Sequence, residues 1–303
     1  MRDLQNKKTD ISTGISTSCT PFSLIIPAYN EQDGIGAVLD ELETVVRESD
    51  LECEIIVVDD GSVDNTVAEV EKYDVELIRH PANRGYGAAL KTGIRKAKHD
   101  WIVITDADGT YPNDRIRDLL TASSVSDMVV GARVGTEVKI PLIRKPAKWF
   151  ITRLASYLAD FEIPDLNSGM RVMKKTVIEQ FINILPSGFS FTTTITLAML
   201  TNDFVVSYIP INYSTRVGKS KIRPIRDTLK FIQLIVRTVM YFNPLKVFVP
   251  ISVLLFAMSA SVLLYSYFRT PEIMDITTIV LFVSGVQMIG IGMIADLVDK
   301  RSK

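Results

Sequence analysis

Asp106 and Asp108 are the residues of this 303-residue chain whose type and spacing most plainly suit chemistry. They close the run Trp101-Ile-Val-Ile-Thr-Asp106-Ala-Asp108-Gly-Thr-Tyr-Pro112, an apolar strand followed by two carboxylates spaced i, i+2 and a Gly/Pro turn. Alternate residues of an extended chain project to one side, so both carboxylates face the same way. They also stand at the end of a strand, where open α/β sheets bind ligands. Two hard oxygen ligands there suit Mg2+ or Mn2+ shared with a substrate's phosphates, because Mg2+ rarely takes an all-protein cage. An Asp-rich turn with no chemistry accounts for the spacing equally well. A calcium loop does not, since it needs a third Asp or Asn at Thr110, a Gly at Tyr111 and a Glu at Arg117.

The same Asp-x-Asp-Gly-Thr run resembles the nucleophile motif of haloacid dehalogenase-type phosphatases, in which Asp106 would form an aspartyl-phosphate. The elements that position the pair discriminate between these readings. Phe22 to Pro27 is a buried-strand run, followed by Ala28-Tyr29-Asn30-Glu31 and a helix from about Gly34 to Ser49. A second strand, Cys53 to Val58, ends in Asp59-Asp60-Gly61-Ser62, and Asp64-Asn65-Thr66 caps the next helix. Val75 to Arg79 is a third strand, and Asn83-Arg84-Gly85-Tyr86-Gly87 opens a helix through about Ala97. Strand and helix alternate at short intervals, which predicts a parallel sheet with right-handed crossovers and every polar cluster on its carboxyl edge. On that edge Asp60 is placed to accept hydrogen bonds from a base or ribose, and Arg84 to meet a phosphate or base. Gly85 and Gly87 would let backbone come close to a ligand.

Composition excludes other classes. With 47% hydrophobic residues and a net charge of −1, the chain can bury one large domain with or without an appendage, and bulk nucleic-acid affinity is not expected. Cys19 and Cys53 are far apart and lack metal spacing, which argues for a reducing compartment and against a zinc site. His80 and His99 read as surface residues. Residues 1 to 20, rich in Ser, Thr, Asp and Lys, read as a disordered tail rather than a signal peptide.

Taken together, Pro27-Ala-Tyr-Asn-Glu31, Val57-Val-Asp-Asp-Gly-Ser62, Asn83-Arg-Gly-Tyr-Gly87 and Asp106-Ala-Asp108 resemble the signature series of the GT-A fold family 2 glycosyltransferases. Asp165-Leu-Asn-Ser-Gly-Met-Arg171 and Arg216-Val-Gly-Lys-Ser-Lys221 narrow the likeness to its dolichyl-phosphate mannosyltransferase and polyprenyl-phosphate glucosyltransferase branch. The resemblance covers residues 22 to about 222 and implies a Rossmann-like, mostly parallel α/β sheet. It implies that Pro27, Tyr29, Glu31, Asp60 and Arg84 bind the nucleotide of a UDP- or GDP-linked hexose, and that Asp106 and Asp108 hold the metal, with Asp108 catalytic. Thr110 departs from the Gln that close relatives often carry two residues past the second Asp. Asp127-Met-Val-Val-Gly-Ala-Arg133 is a further strand ending in a cation, and a basic-then-apolar helix starts at Ile143 and runs through Leu158. The likeness makes Arg133, Arg144, Lys148, Arg216, Lys219 and Lys221 ligands of a lipid phosphate. Asp165 is either a base or orienting group, or a turn residue ahead of Gly169.

A phosphomonoester, with a second pKa near 6, is mostly a dianion at neutral pH and needs no strong base. The expected reaction is therefore direct displacement with inversion, driven by placement and charge shielding.

From Arg216 to Lys246 eight Lys/Arg face one acidic residue, Asp227, interleaved with apolar residues. This reads as amphipathic helices at an anionic leaflet. Val247 to Phe268 and Ile276 to Ala295 are uncharged and long enough to cross a core of about 30 Å, so they read as a transmembrane hairpin. Basic residues before the first span and after the second predict that both termini and the catalytic domain face the cytoplasm of, most naturally, a prokaryotic plasma membrane. Gly285, Gly290 and Gly292 would allow close helix approach in a homo-oligomer. The expected domains are a GT-A unit at 21–215, interfacial helices at 216–246 and the hairpin at 247–303. A processive polysaccharide synthase is the rival, but the chain lacks its Gln-x-x-Arg-Trp motif and further spans. An inactive, membrane-tethered nucleotide-sugar binding protein is another.

Overall fold

The computed structural model describes residues 20–49, 52–133, 145–214, 233–241, 243–269 and 275–302. Cys19, Arg144, Arg216, Lys219 and Lys221 lie outside them, as does most of the 216–246 segment.

Seven strands form one sheet in the order β3-β2-β1-β4-β6-β5-β7. They are β1 (Phe22–Ala28), β2 (Cys53–Asp59), β3 (Glu76–Arg79), β4 (Trp101–Ile104), β5 (Met128–Arg133), β6 (Arg171–Lys174) and β7 (Val206–Ile211). Strand β1, Phe-Ser-Leu-Ile-Ile-Pro-Ala, is buried at every position. That is why it reads as a continuous apolar run rather than an alternating one: helices cover both faces of the sheet. On one face α3 (Tyr86–Lys96), α6 (Lys175–Phe181) and α7 (Phe191–Thr201) pack on Ile25, Ile56, Ile104 and Val130. On the other, α1 (Ile35–Ser49), α2 (Thr66–Val70) and α4 (Ile116–Ala122) cover Leu24, Ile26, Val57 and Val103.

Strand β6 is the antiparallel member of this mostly parallel sheet, pairing with both β4 and β5. Its four residues, Arg-Val-Met-Lys, carry a charge at each end, so no hydrophobic run announces it. Its reversed direction has a functional result. The residues that precede it, Asp165 to Gly169, arrive on the same edge as those that follow β1, β2, β4 and β5.

Helix α5 (Lys145–Ala159) leaves the sheet, and Ala155 and Leu158 pack with Leu197 of α7 and with Ile235 and Val239 of α8 (residues 233–241). Lys148 lies in α5. Then α9 (Leu245–Arg269) and α10 (Asp275–Ser302) form a hairpin. Each contains a span long and apolar enough to cross a membrane, Leu245–Phe268 and Ile276–Val298. Lys246 ties the start of α9 to the α/β unit, donating to the Leu158 carbonyl at 3.2 Å and pairing with Asp160. Close approach at Gly285 and Gly292 is used inside the hairpin, where an added Cβ would sit 2.6 Å from the Phe256 ring and 2.8 Å from Phe248 Cβ.

Candidate active site

Parallel β1, β2 and β4 deliver Tyr29–Glu31, Asp60 and Asp106/Asp108 to one edge. The first two clusters are zipped together. The Asn30 backbone N–H donates to Ser62 Oγ (2.9 Å), Asn30 Oδ1 accepts from Val63 N–H (2.9 Å), and Glu31 N–H donates to Thr66 Oγ1 (2.9 Å). Asn30 sits at φ 55, a left-handed conformation that Asn tolerates better than most residues. Tyr29 is 39% exposed at this rim, Arg84 is exposed and Pro27 is buried.

The Asp60 carboxylate turns inward and is 3% exposed. Its Oδ1 accepts from Arg84 N–H (2.9 Å) and His80 Nδ1 (2.7 Å), and its Oδ2 from Gly85 N–H (2.7 Å). It therefore shapes the Asn83–Gly85 loop from beneath. His80 is accordingly buried, not a surface residue, and its Nε2 meets the Thr92 hydroxyl at 2.9 Å. The backbone that Gly85 and Gly87 admit is the protein's own. A Cβ at Gly85 would lie 2.5 Å from the Ser187 carbonyl oxygen, and one at Gly87 2.2 Å from that of Pro186. Asp60→Ala would strand two part-buried N–H donors and a buried ring nitrogen at about 1 kcal/mol each, so a loss on the order of 3 kcal/mol is expected. In a domain of this size that lowers Tm by roughly 6–12 °C, which a thermal melt would read.

The carboxylate pair is held from several sides. Asp106 Oδ1 accepts from the Tyr86 hydroxyl (2.9 Å), and its carboxylate lies against the bare Cα of Gly169. Asp108 Oδ1 accepts from Thr110 Oγ1 (2.6 Å) and Thr110 N–H (3.2 Å). Thr110 is thus a buried support for Asp108. Tyr86 carries no assigned role in the sequence reading; its signal there was only its place in the Asn-x-Gly-x-Gly cluster. Burial, with the Asp106 charge beside it, pushes its phenol well above the usual value, so the proton that holds Asp106 stays on the tyrosine.

No group of three or more His, Cys, Asp or Glu able to hold a metal occurs among the described residues. Two carboxylates whose remaining partners come from substrate oxygens fit a hard divalent cation, and a protein-only cage does not.

Arg133, at the end of β5, and Asp165 form a bidentate pair: Nε to Oδ2 at 2.7 Å, Nη2 to Oδ1 at 2.9 Å, with Arg133 N–H on Oδ2 at 3.1 Å. Asn167 N–H adds a bond at 3.1 Å. Asp165 is buried, yet the guanidinium and these N–H groups outweigh desolvation and hold its carboxyl below the usual range. Arg133 keeps 22% of its side chain exposed, stacks over Tyr213 at 5.2 Å, and Tyr213 meets Tyr111 edge-on.

The profile of glycosyl transferase family 2 matches residues 23–182. The chain belongs to that family. It is a glycosyltransferase, and the aspartyl-phosphatase alternative falls. A second profile, the GtrB C-terminal hairpin, matches residues 243–299. A dolichyl-phosphate hexose transferase of Haloferax volcanii is 28% identical over 67% of this chain and 87% of its own length. An undecaprenyl-phosphate mannosyltransferase of Micrococcus luteus is 28% identical over 65% and 85%. Among solved structures, glucosyl-3-phosphoglycerate synthase of Mycobacterium tuberculosis, crystallised with Mn2+, UDP-glucose and phosphoglyceric acid, aligns with a TM-score of 0.56. That alignment covers 73% of this chain and 80% of the synthase at 16% identity, and identifies the fold as GT-A.

Proposed function

We propose that this family 2 glycosyltransferase moves a single hexose from a nucleotide diphosphate sugar, UDP- or GDP-linked, to a polyprenyl or dolichyl phosphate at the cytoplasmic membrane face, with inversion. The observation that carries the reading is one sheet edge bearing both the Asp106/Asp108 pair and the Arg133–Asp165 pair, in a chain that continues into two membrane-length helices. The names of the relatives support the lipid-phosphate acceptor.

Asp106 and Asp108 would hold Mg2+ or Mn2+, which when bound would supply charge neutralisation at the diphosphate. Pro27, Tyr29, Glu31 and Arg84 line the nucleotide side, with Asp60 fixing the Arg84 loop. Arg133 meets the acceptor phosphate, joined by Arg144, Lys148, Arg216, Lys219 and Lys221 as cations near the lipid headgroups. Asp165 orients Arg133; its depressed pKa and ion pair make it a poor proton acceptor at neutral pH. The acceptor dianion attacks the anomeric carbon directly, and no covalent glycosyl-enzyme forms. The GT-A unit spans 21–215, the interfacial segment 216–246 and the hairpin 247–303, with both termini cytoplasmic.

The test is a transfer assay on the purified chain in detergent with each metal, both lipid phosphates and a panel of labelled UDP- and GDP-sugars. Organic-phase label from one donor, lost with EDTA, is expected. Label released as free sugar, or none from any donor, would refute the reading.

Asp165→Asn separates orientation from base catalysis. The rate is expected to fall about 10²-fold as Arg133 loses its clamp, while the acid limb of the pH–rate profile stays near pH 6, the second pKa of the acceptor phosphate. Loss of that limb in the variant would make Asp165 the base. The stability contribution has its own sign. Because the folded pKa of Asp165 is depressed, it is complete above the unfolded value of about 3.9 and disappears as pH falls through the lower folded value. Wild-type Tm should therefore drop on acidification below about pH 4 more steeply than that of Asp165→Asn.

A further inference from the structure

Arg171 heads the fully buried side chains of the described protein, at 0% exposure. Its guanidinium donates from Nε and Nη2 to the Ser168 carbonyl (3.1 and 2.5 Å) and from Nη1 to the Thr192 carbonyl (3.3 Å) and Thr196 Oγ1 (3.1 Å). It touches Met128 sulfur at 3.7 Å. Every one of these hydrogen-bond partners is neutral, and among the described residues no carboxylate forms an ion pair with it; the Asp165 charge acts on it only through space. Arginine stays charged even here, and an unpaired interior charge is costly unless something else uses it. Its strand neighbours are Ile104 and Val130, members of an apolar cluster that an aliphatic side chain would suit better.

The register places it relative to the carboxylate pair. Ile104 pairs with Arg171, and the same antiparallel count carried two residues along each strand sets Asp106 opposite Gly169. The 2.8 Å approach of an added Gly169 Cβ to Asp106 Oδ2 agrees. Cross-strand partners project to one face, so Arg171 lies on the Asp106 face, one side-chain repeat or about 7 Å behind the carboxylate. Its two bonds to the Ser168 carbonyl hold the residue immediately before Gly169.

We propose that Arg171 is a positioning residue for the anionic substrates: a buried counter-charge behind Asp106 that favours the donor's diphosphate and opposes the bare metal. The inference rests on the donor reading above. On the donor side, Asp106, Asp108 and the diphosphate together carry about four negative charges, more than one divalent cation and Arg84 neutralise. A fixed cation in low dielectric supplies the balance without reorganising.

The sign of its effect separates this role from a structural one. Full-length protein in detergent is titrated with Mn2+ alone, followed by the electron paramagnetic resonance of free Mn2+, and then with UDP or GDP at saturating Mn2+. Wild type binding one nucleotide establishes the donor class; binding neither would overturn the donor reading and this inference with it. Given wild-type binding, Arg171→Met should weaken the nucleotide about 10-fold while Mn2+ alone binds as tightly or more tightly. Mn2+ and nucleotide weakening in step, or neither changing, would overturn the proposal. Arg171→Lys keeps the charge, and its three ammonium donors match the three oxygen acceptors. It should retain nucleotide affinity within about threefold even as Tm falls. A tenfold loss in Arg171→Lys overturns the proposal, whether or not Arg171→Met folds.

Discussion

Asp108→Ala is expected to lower transfer by about 10³-fold or more, roughly 4 kcal/mol of transition-state stabilisation, with the fold intact. The site explains both halves of that statement. Asp108 is half-buried at a turn after β4, and the contacts the substitution releases include the hydroxyl and N–H of Thr110. That costs about 1–3 kcal/mol of stability, small beside the electrostatic loss. Asp108→Asn refines the test. It keeps the shape and an acceptor for Thr110 but removes the charge, so it should be nearly as slow as the alanine variant while melting close to wild type. Turnover in Asp108→Asn above a tenth of wild type would mean the charge is not what the reaction needs.

Gly169→Ala should be the most damaging change of a single methyl group, with transfer about 10²-fold slower. The added carbon would stand 2.8 and 2.9 Å from the two Asp106 oxygens and 3.1 Å from its Cγ. Backbone conformation is not the obstacle, because Gly169 is not among the glycines with positive φ. The strain falls on the Asp106 carboxylate, which the Tyr86 hydroxyl holds from another side. Mn2+ affinity should drop in parallel, and Tm should change by only a few degrees. Wild-type rate and metal affinity in Gly169→Ala would show that the carboxylate can shift without consequence. The contrast with Asp60→Ala is instructive, since there the stability loss comes first and activity follows from it.

The alternation of strand and helix, the Asp pair at a strand end and the two long apolar runs were legible in the sequence because each is a local signal. A buried parallel strand such as Phe22–Ala28 must be apolar throughout, a carboxylate pair needs only i, i+2 spacing, and a membrane span needs only length. The reactivity of Cys53 was not legible, and it is burial that pushes its thiol up to about 12. What the tertiary structure alone decided was who touches whom. The sequence could not say that Asp60 is spent on His80, Arg84 and Gly85, or that Gly85 and Gly87 make room for Pro186–Gly188 rather than a ligand. Nor could it say that Tyr86 serves Asp106, since that partner is set by the packing of α3 against the end of β4. Strand β6 shows the physical reason most clearly. Four residues with a charge at each end carry no periodicity of their own. Only the gap between β4 and β5 selects them, and by filling it antiparallel they bring Asp165, Gly169 and the buried Arg171 to the carboxylate edge.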